Sequence, residues 1–201
     1  MAQFDLQASL LACHRQTAMG CIKVFEDLLR YEAVIAQTRP EVIVECGTFT
    51  GHSALWFAQQ GVDVITIDIP PDSGIPYTRK SKDTVVEIPE ITYLVGSSTD
   101  LSIVSQVEEL VCNRRTMVVL DSDHSAEHVR REIELYGPFV SPGCYLVVED
   151  GILRWLPSDY VGNPLDAIEE SLIYNEAWMR AIAMEEMFSV TLYPFGWWIK
   201  R

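Results

Sequence analysis

A chain of 201 residues, 48% hydrophobic and 22% charged, matches one globular domain with a filled core and is too short for two ordinary domains. Its formal net charge of −14 disfavours a nucleic-acid or anionic-membrane surface, because both want Lys and Arg, yet it leaves room for a small ligand in a local pocket. No apolar run approaches the roughly 20 residues of a membrane span, and the start carries no basic n-region, so a cytoplasmic protein is expected.

The five cysteines, Cys13, Cys21, Cys46, Cys112 and Cys144, are odd in number, scattered, and form no Cys-x-x-Cys pair. That pattern predicts reduced thiols, with neither a disulfide framework nor a zinc site. Cys46 and Cys144 stand beside glycines next to strands and read as small packing residues.

Residues 1–22 show weak periodicity and read as an N-terminal arm ahead of a domain over 23–201. From Val24 to Gln37, apolar residues Val24, Phe25, Leu28, Leu29, Ala33, Val34 and Ile35 recur at helical spacing, and Arg39-Pro40 ends the helix. Strands are then expected at about 41–46, 62–68, 91–95, 116–121 and 144–149. Helices are expected at about 52–60, 101–113 and 126–137. This alternation predicts an α/β fold: a Rossmann-like, doubly wound, mostly parallel sheet with helices on both faces. A helix at about 165–180 follows, and Phe188–Tyr193 with Gly196–Lys200 reads as an antiparallel C-terminal hairpin closing one edge. The loops at 70–82 and 153–164 exceed plain connections, and the first reads as a lid.

In such sheets ligands bind at the carboxyl ends of the strands. Glu45, Asp68, Gly96, Asp121 and Glu149 should therefore gather on one rim. Between the first strand and its helix lies Glu45-Cys46-Gly47-Thr48-Phe49-Thr50-Gly51-His52-Ser53. Its Gly-x-x-x-Gly spacing behind an acid differs from the Gly-x-Gly-x-x-Gly of pyrophosphate binders. An acid at that strand end suits a cationic or zwitterionic ligand such as S-adenosylmethionine. Asp68 ends the second strand, where an acid hydrogen-bonds ribose hydroxyls in nucleotide-binding folds. Gly96-Ser97-Ser98 follows the third strand and suits either an adenosine contact or a turn before a helix capped near Asp100.

The richest cluster is Asp121-Ser122-Asp123-His124 with Glu149-Asp150, each directly after an apolar strand. Carboxylates converging in one cleft repel unless a cation sits among them, and an all-oxygen set suits Mg²⁺ or another hard divalent ion. His124 is the candidate general base, since imidazole titrates near neutral pH. Solvated rim acids beside a helix-capping histidine are the plainer alternative. His14, His52 and His128 are weaker candidates, and Trp155, Tyr160, Trp178, Trp197 and Trp198 are read mainly as packing residues.

The run from Phe25 to Ala58 resembles the cephalosporin-hydroxylase-type family, which includes rhamnosyl O-methyltransferases. So do Gly96-Ser97-Ser98-Thr99-Asp100, Leu120-Asp121-Ser122-Asp123-His124 and Pro142 to Gly151. The resemblance covers nearly everything after residue 20 in the same order. It implies an S-adenosylmethionine-dependent O-methyltransferase acting on a hydroxyl of a small molecule, such as a natural-product scaffold or sugar. It further implies that Glu45, Gly47, Thr48, Gly51 and Ser53 surround the methionine part of the cofactor and that Asp68 holds the ribose. Ser97 and Ser98 would lie near the adenosine, with Asp121 beside the cofactor as well. Asp121, Glu149 and Asp150 would hold the divalent metal, Asp123 being the alternative to Asp121, and His124 would act as base. The family's Gly-Gly pairs appear here as Gly51-His52 and Gly143-Cys144. A homo-oligomer is expected, with no nucleic-acid or membrane partner. A nicotinamide-binding oxidoreductase and a non-catalytic, cofactor-binding helper of a partner enzyme are the competing readings.

Overall fold

The computed structural model describes residues 23–71, 88–156 and 162–201. The expected arm at 1–22, most of the 70–82 loop, and Tyr160 lie outside the described residues.

The first helix, α1 (Phe25–Thr38), buries Leu28, Leu29, Tyr31, Val34 and Ile35 along one face, as its spacing predicts. It ends at Arg39, which turns into the left-handed region before Pro40 while its N–H still closes on the Ile35 carbonyl at 2.8 Å. The chain then alternates through β1 (Val42–Cys46), α2 (His52–Gln59), β2 (Asp63–Asp68), β3 (Ile91–Val95), α3 (Leu101–Val111), β4 (Thr116–Leu120), α4 (Ala126–Tyr136) and β5 (Tyr145–Val148). After α5 (Pro164–Ser171) come β6 (Trp178–Arg180), the short α6 (Ile182–Glu185) and β7 (Trp197–Lys200).

All seven strands form one sheet in the order β3-β2-β1-β4-β5-β7-β6. The first five are parallel, and β7 runs antiparallel to both β5 and β6. The order reverses between β1 and β4, where Cys46 pairs with Leu120, so the switch-point crevice opens directly above those two residues.

β1, β4 and β5 are buried along their whole length, as strands covered on both faces must be. Side chains alternate between two cores. Val42, Val44, Cys46, Val118, Leu120, Leu146 and Val148 face α3, α4 and α5. Ile43, Met117, Val119, Tyr145 and Val147 face α1 and α2. Each such Val, Ile or Leu contributes about 1.5–3 kcal/mol by leaving water. Cys46 and Cys144 are buried free thiols among these packing residues. No helix among the described residues is long and apolar enough to cross a membrane.

Two expectations near the C-terminus need correction. The helix expected over 165–180 stops at Ser171, and Trp178–Arg180 is instead the edge strand β6. The antiparallel closing pair exists, but its first strand is β6 and not 188–193. The reason lies in a buried pair on α1. Arg30 donates to the carbonyls of Met184 (2.7 Å), Glu185 (3.2 Å), Phe188 (3.0 Å) and Val190 (2.8 Å). Asp27 accepts from Arg30 Nη1 (2.8 Å), the Thr191 hydroxyl (2.6 Å) and the Leu192 N–H (2.8 Å). With their backbone groups taken by side chains, these residues have little left to offer a strand ladder.

Candidate active site

The rim predicted from strand ends is assembled by ladder bonds that continue past the strands. Gly47 N–H donates to the Ile67 carbonyl (2.8 Å), Asp121 N–H to Cys46 (2.8 Å), Glu149 N–H to Leu120 (3.0 Å) and Gly96 N–H to Asp68 (2.8 Å). The carboxyl ends of β1, β2, β4 and β5 are thereby locked side by side.

Gly47 is required by space as well as by conformation. Its φ is +104°, and a Cβ there would lie 1.9 Å from the Asp121 carbonyl oxygen. This contact brings the glycine turn against the acidic loop. Gly51, also at positive φ, opens α2 without a side-chain cap. His52, the first residue of α2, places Nδ1 2.7 Å from the Thr50 hydroxyl and so closes the turn on itself.

Glu45 follows Ile43 by two and therefore points to the α1–α2 side, fully buried. Its Oε2 accepts from the Thr66 hydroxyl at 2.7 Å. The Thr66 proton is committed there, so Thr48 must donate to Thr66, 2.8 Å away. Oε1 has no hydrogen-bond partner among the described residues. Burial raises the Glu45 carboxyl to about 7, against the opposing charge of Lys23 and hydrogen bonds from Ser53 and Thr66. A buried carboxylate oxygen left without a donor is costly, and a ligand ammonium would satisfy it. This is the fit expected of a pocket for an amino-acid moiety.

Asp68 ends β2 and accepts from the Phe49 N–H (2.7 Å) and the Ile69 N–H (2.8 Å), which ties the glycine turn to the neighbouring strand end. Ser97 pairs with Thr99 across 3.0 Å. Ser98 is turned inward, its hydroxyl 3.0 Å from His128 Nε2 and its carbonyl accepting from Tyr136 OH at 2.7 Å. Asp100 caps α3 through the Ser102 N–H, the capping role weighed for this segment.

At the β4 and β5 ends, one ligand atom each of Asp121, His124 and Asp150 lie within 4.8 Å of one another. His124 Nε2 stands 3.3 Å from Asp150 Oδ2. Burial and the charge of Asp121 raise the Asp150 carboxyl, against His124 and Lys23. Two acids and an imidazole so close together are a donor set that a divalent cation fits. Asp123 points outward and accepts from the Ser125 N–H at 2.8 Å, so Asp121 is the acid that joins the cluster.

Glu149 stands differently. It is buried, takes the Tyr31 hydroxyl at 2.6 Å, and holds the Lys23 ammonium 2.6 Å from each carboxylate oxygen. The same ammonium lies 2.7 Å from Asp121 Oδ2. Burial works against the Lys23 charge, but Asp121, Glu149 and Glu45 override it and hold the amine well above its ordinary range. Sequence reading did not single out Lys23, Tyr31 or Thr66. One signal was present: Glu45, Asp121 and Glu149 share the strand parity of Ile43, Val119 and Val147, the face α1 covers. A lysine just ahead of that helix and a tyrosine within it were the groups available to meet them.

Comparisons with known proteins identify the family. The family described as Rhamnosyl O-methyltransferase/CmcI matches residues 13–201, and so takes in part of the expected arm. The rhamnosyl O-methyltransferase of Mycobacterium tuberculosis is 31% identical over 93% of this chain and 79% of its own length. That of Mycobacterium leprae is 29% identical over 92% and 83%. Among solved structures, a CmcI–Mg–SAM structure superposes with a TM-score of 0.60 at 19% identity, over 90% of this chain and 73% of that one. The MycE methyltransferase from the mycinamycin biosynthetic pathway, in complex with Mg and SAH, gives 0.55 at 16% identity, over 81% and 44%. These structural likenesses share the Rossmann-like fold. With the family match along nearly the whole chain, they make this protein a member of the rhamnosyl O-methyltransferase/CmcI family, an S-adenosylmethionine-dependent O-methyltransferase.

Proposed function

We propose that the chain methylates a hydroxyl of a small molecule, a natural-product scaffold or sugar with neighbouring oxygens, and that it does so with a divalent metal, Mg²⁺ being the best fit. The observation that carries this reading is the close grouping of Asp121, His124 and Asp150 beside the Gly47 turn. Asp121, Glu149 and Asp150 are assigned as the metal's carboxylates. When bound, the ion supplies a Lewis acid that makes an acceptor hydroxyl easier to deprotonate.

The chain's own residues do the rest. Glu45 receives the amino group of S-adenosylmethionine, with Thr66 and Ser53 holding the Glu45 carboxylate and Thr48 donating to Thr66 behind them. Gly47 and Gly51 let the turn approach the methionine part. Asp68 is placed for the ribose hydroxyls, with Ser97 and Ser98 on the adenosine side. His124, steadied by Asp150, takes the acceptor proton. Alignment of donor and acceptor at the switch-point crevice then supplies much of the acceleration. The name of the mycobacterial relatives, rhamnosyl O-methyltransferase, favours a deoxysugar among the acceptors to be tried first.

Calorimetry tests the reading. S-adenosylhomocysteine should bind and NAD should not, and Mg²⁺ should bind in the presence of S-adenosylhomocysteine. Asp121→Ala should remove the metal affinity and methyl transfer while cofactor binding largely survives. Methylation that persists in Asp121→Ala would sink the metal assignment. A protein that binds cofactor but no metal would point instead to a helper role.

A further inference from the structure

The acid cluster already holds a cation of its own. Lys23 Nζ has three carboxylate oxygens within 2.7 Å, one from Asp121 and both from Glu149. An ammonium has three protons to donate, and here each has an acceptor. The lysine side chain is 6% exposed, and its Nζ also lies 5.9 Å from the centre of the Tyr193 ring. Lys23 precedes α1 and lies outside its hydrogen-bond ladder, whereas Tyr31, the other donor to Glu149, is fixed within the helix. This arrangement gives Glu149 its distinct position: Asp121, His124 and Asp150 converge while Glu149 is drawn toward α1.

We propose that Lys23 is a resident counter-ion that competes with the divalent metal for Asp121 and Glu149, so that this one residue sets the metal affinity of the site. The inference rests on the metal reading above. Its physical basis is that Mg²⁺ binds oxygen at about 2.0–2.1 Å, so an ammonium on the same oxygens would face a dication at close range in a poorly screened site. One must withdraw. With the metal absent, the ammonium keeps acids that would otherwise repel one another together. With the metal bound, the ammonium is released and Glu149 becomes free to complete the carboxylate set.

The test uses Mn²⁺ as the probe, with free Mn²⁺ read by electron paramagnetic resonance in the presence of S-adenosylhomocysteine. Lys23→Met, which removes the competing charge, should bind Mn²⁺ about tenfold or more tighter than the wild type. Lys23→Arg, which keeps the charge, should stay close to the wild type. A folded Lys23→Met protein with unchanged or weaker Mn²⁺ affinity overturns the proposal, because a merely structural lysine has no reason to oppose metal binding. Since Lys23→Met leaves buried acids without their counter-ion and can fail to fold, a second measurement uses the wild type. Acetylation of Lys23 by acetic anhydride at fixed pH, followed by peptide mass spectrometry, should speed up when Mg²⁺ is added. An equal or slower rate overturns the competition. Absence of Mn²⁺ binding in every variant, wild type included, instead defeats the metal reading itself and this inference with it.

Discussion

Glu45 and Glu149 are both buried acids on the α1–α2 face, at the ends of β1 and β5 with β4 between them, yet their surroundings treat them in opposite ways. Glu45 takes its hydrogen bonds from neutral hydroxyls, feels the Lys23 charge without a hydrogen bond from it, and keeps one oxygen without a partner among the described residues. Glu149 is met by a tyrosine hydroxyl and by a lysine already in place. On the proposed reading, the contrast lets one rim serve two ligands. A carboxylate left short of a cation invites a cationic ligand in, whereas one supplied with an internal cation yields only to a competitor of higher charge. Glu45 thus suits the single positive charge of a ligand amine, and Glu149 a divalent ion.

The comparison can be broken at the point where the two halves touch. Gly47→Ala puts a methyl group against the Asp121 carbonyl and forces an unfavourable φ, so unfolding by urea should show a loss of about 4 kcal/mol or more. A variant as stable as the wild type would mean the turn and the acidic loop are not in contact. Glu149→Gln should be next, at about 3 kcal/mol, because it strands a buried ammonium with one acid fewer.

Glu45→Gln should behave in the opposite sense. Its stability should change little, while affinity for S-adenosylhomocysteine falls about 10- to 100-fold by calorimetry, the worth of a charge-assisted hydrogen bond. If Glu45→Gln instead unfolds the protein and leaves binding intact, the two acids are not the contrasting pair described.

The carboxyl of Glu45, raised to about 7, sharpens the comparison further. A ligand ammonium prefers the ionised form, so cofactor affinity should be full above pH 7 and fall about tenfold for each unit below it. The same raised value means that the ligand-free fold gains from Glu45 at low pH. That gain is full below the ordinary carboxylate range and is lost as pH rises through 7. Both trends should vanish in Glu45→Gln. The smallest effect should come from Tyr31→Phe, which removes one of the donors to Glu149 and leaves Lys23 in place. A loss of about 1 kcal/mol in thermal unfolding is expected.

Much of this was legible from residues alone because strands buried on both faces announce themselves. Val42-Ile43-Val44, Met117 to Leu120 and Tyr145 to Val148 are continuous apolar runs ending in acids, and every one is a strand of the parallel core. Their ends had to converge once the sheet was parallel. The C-terminal region was harder to read, since Phe188 to Tyr193 has the composition of a strand but meets Asp27 and Arg30 instead of a ladder partner. Composition measures what a segment would do in a sheet and says nothing of which neighbour reaches its backbone first.

The sequence by itself determined the α/β alternation, the strand ends that form the rim, and the residue types able to bind a cationic cofactor and a hard metal. Those follow from local patterning, where hydrophobic period and turn chemistry act over a few residues. Only the tertiary structure decided which acid stays short of a partner, which one receives Lys23, and that Asp123 turns away to the Ser125 N–H while Asp121 joins the cluster. The placing of Lys23 depends on contacts between groups 98 and 126 positions apart, Lys23 to Asp121 and Lys23 to Glu149. Such contacts exist only after α1 has docked on the sheet and excluded the water that would otherwise screen them.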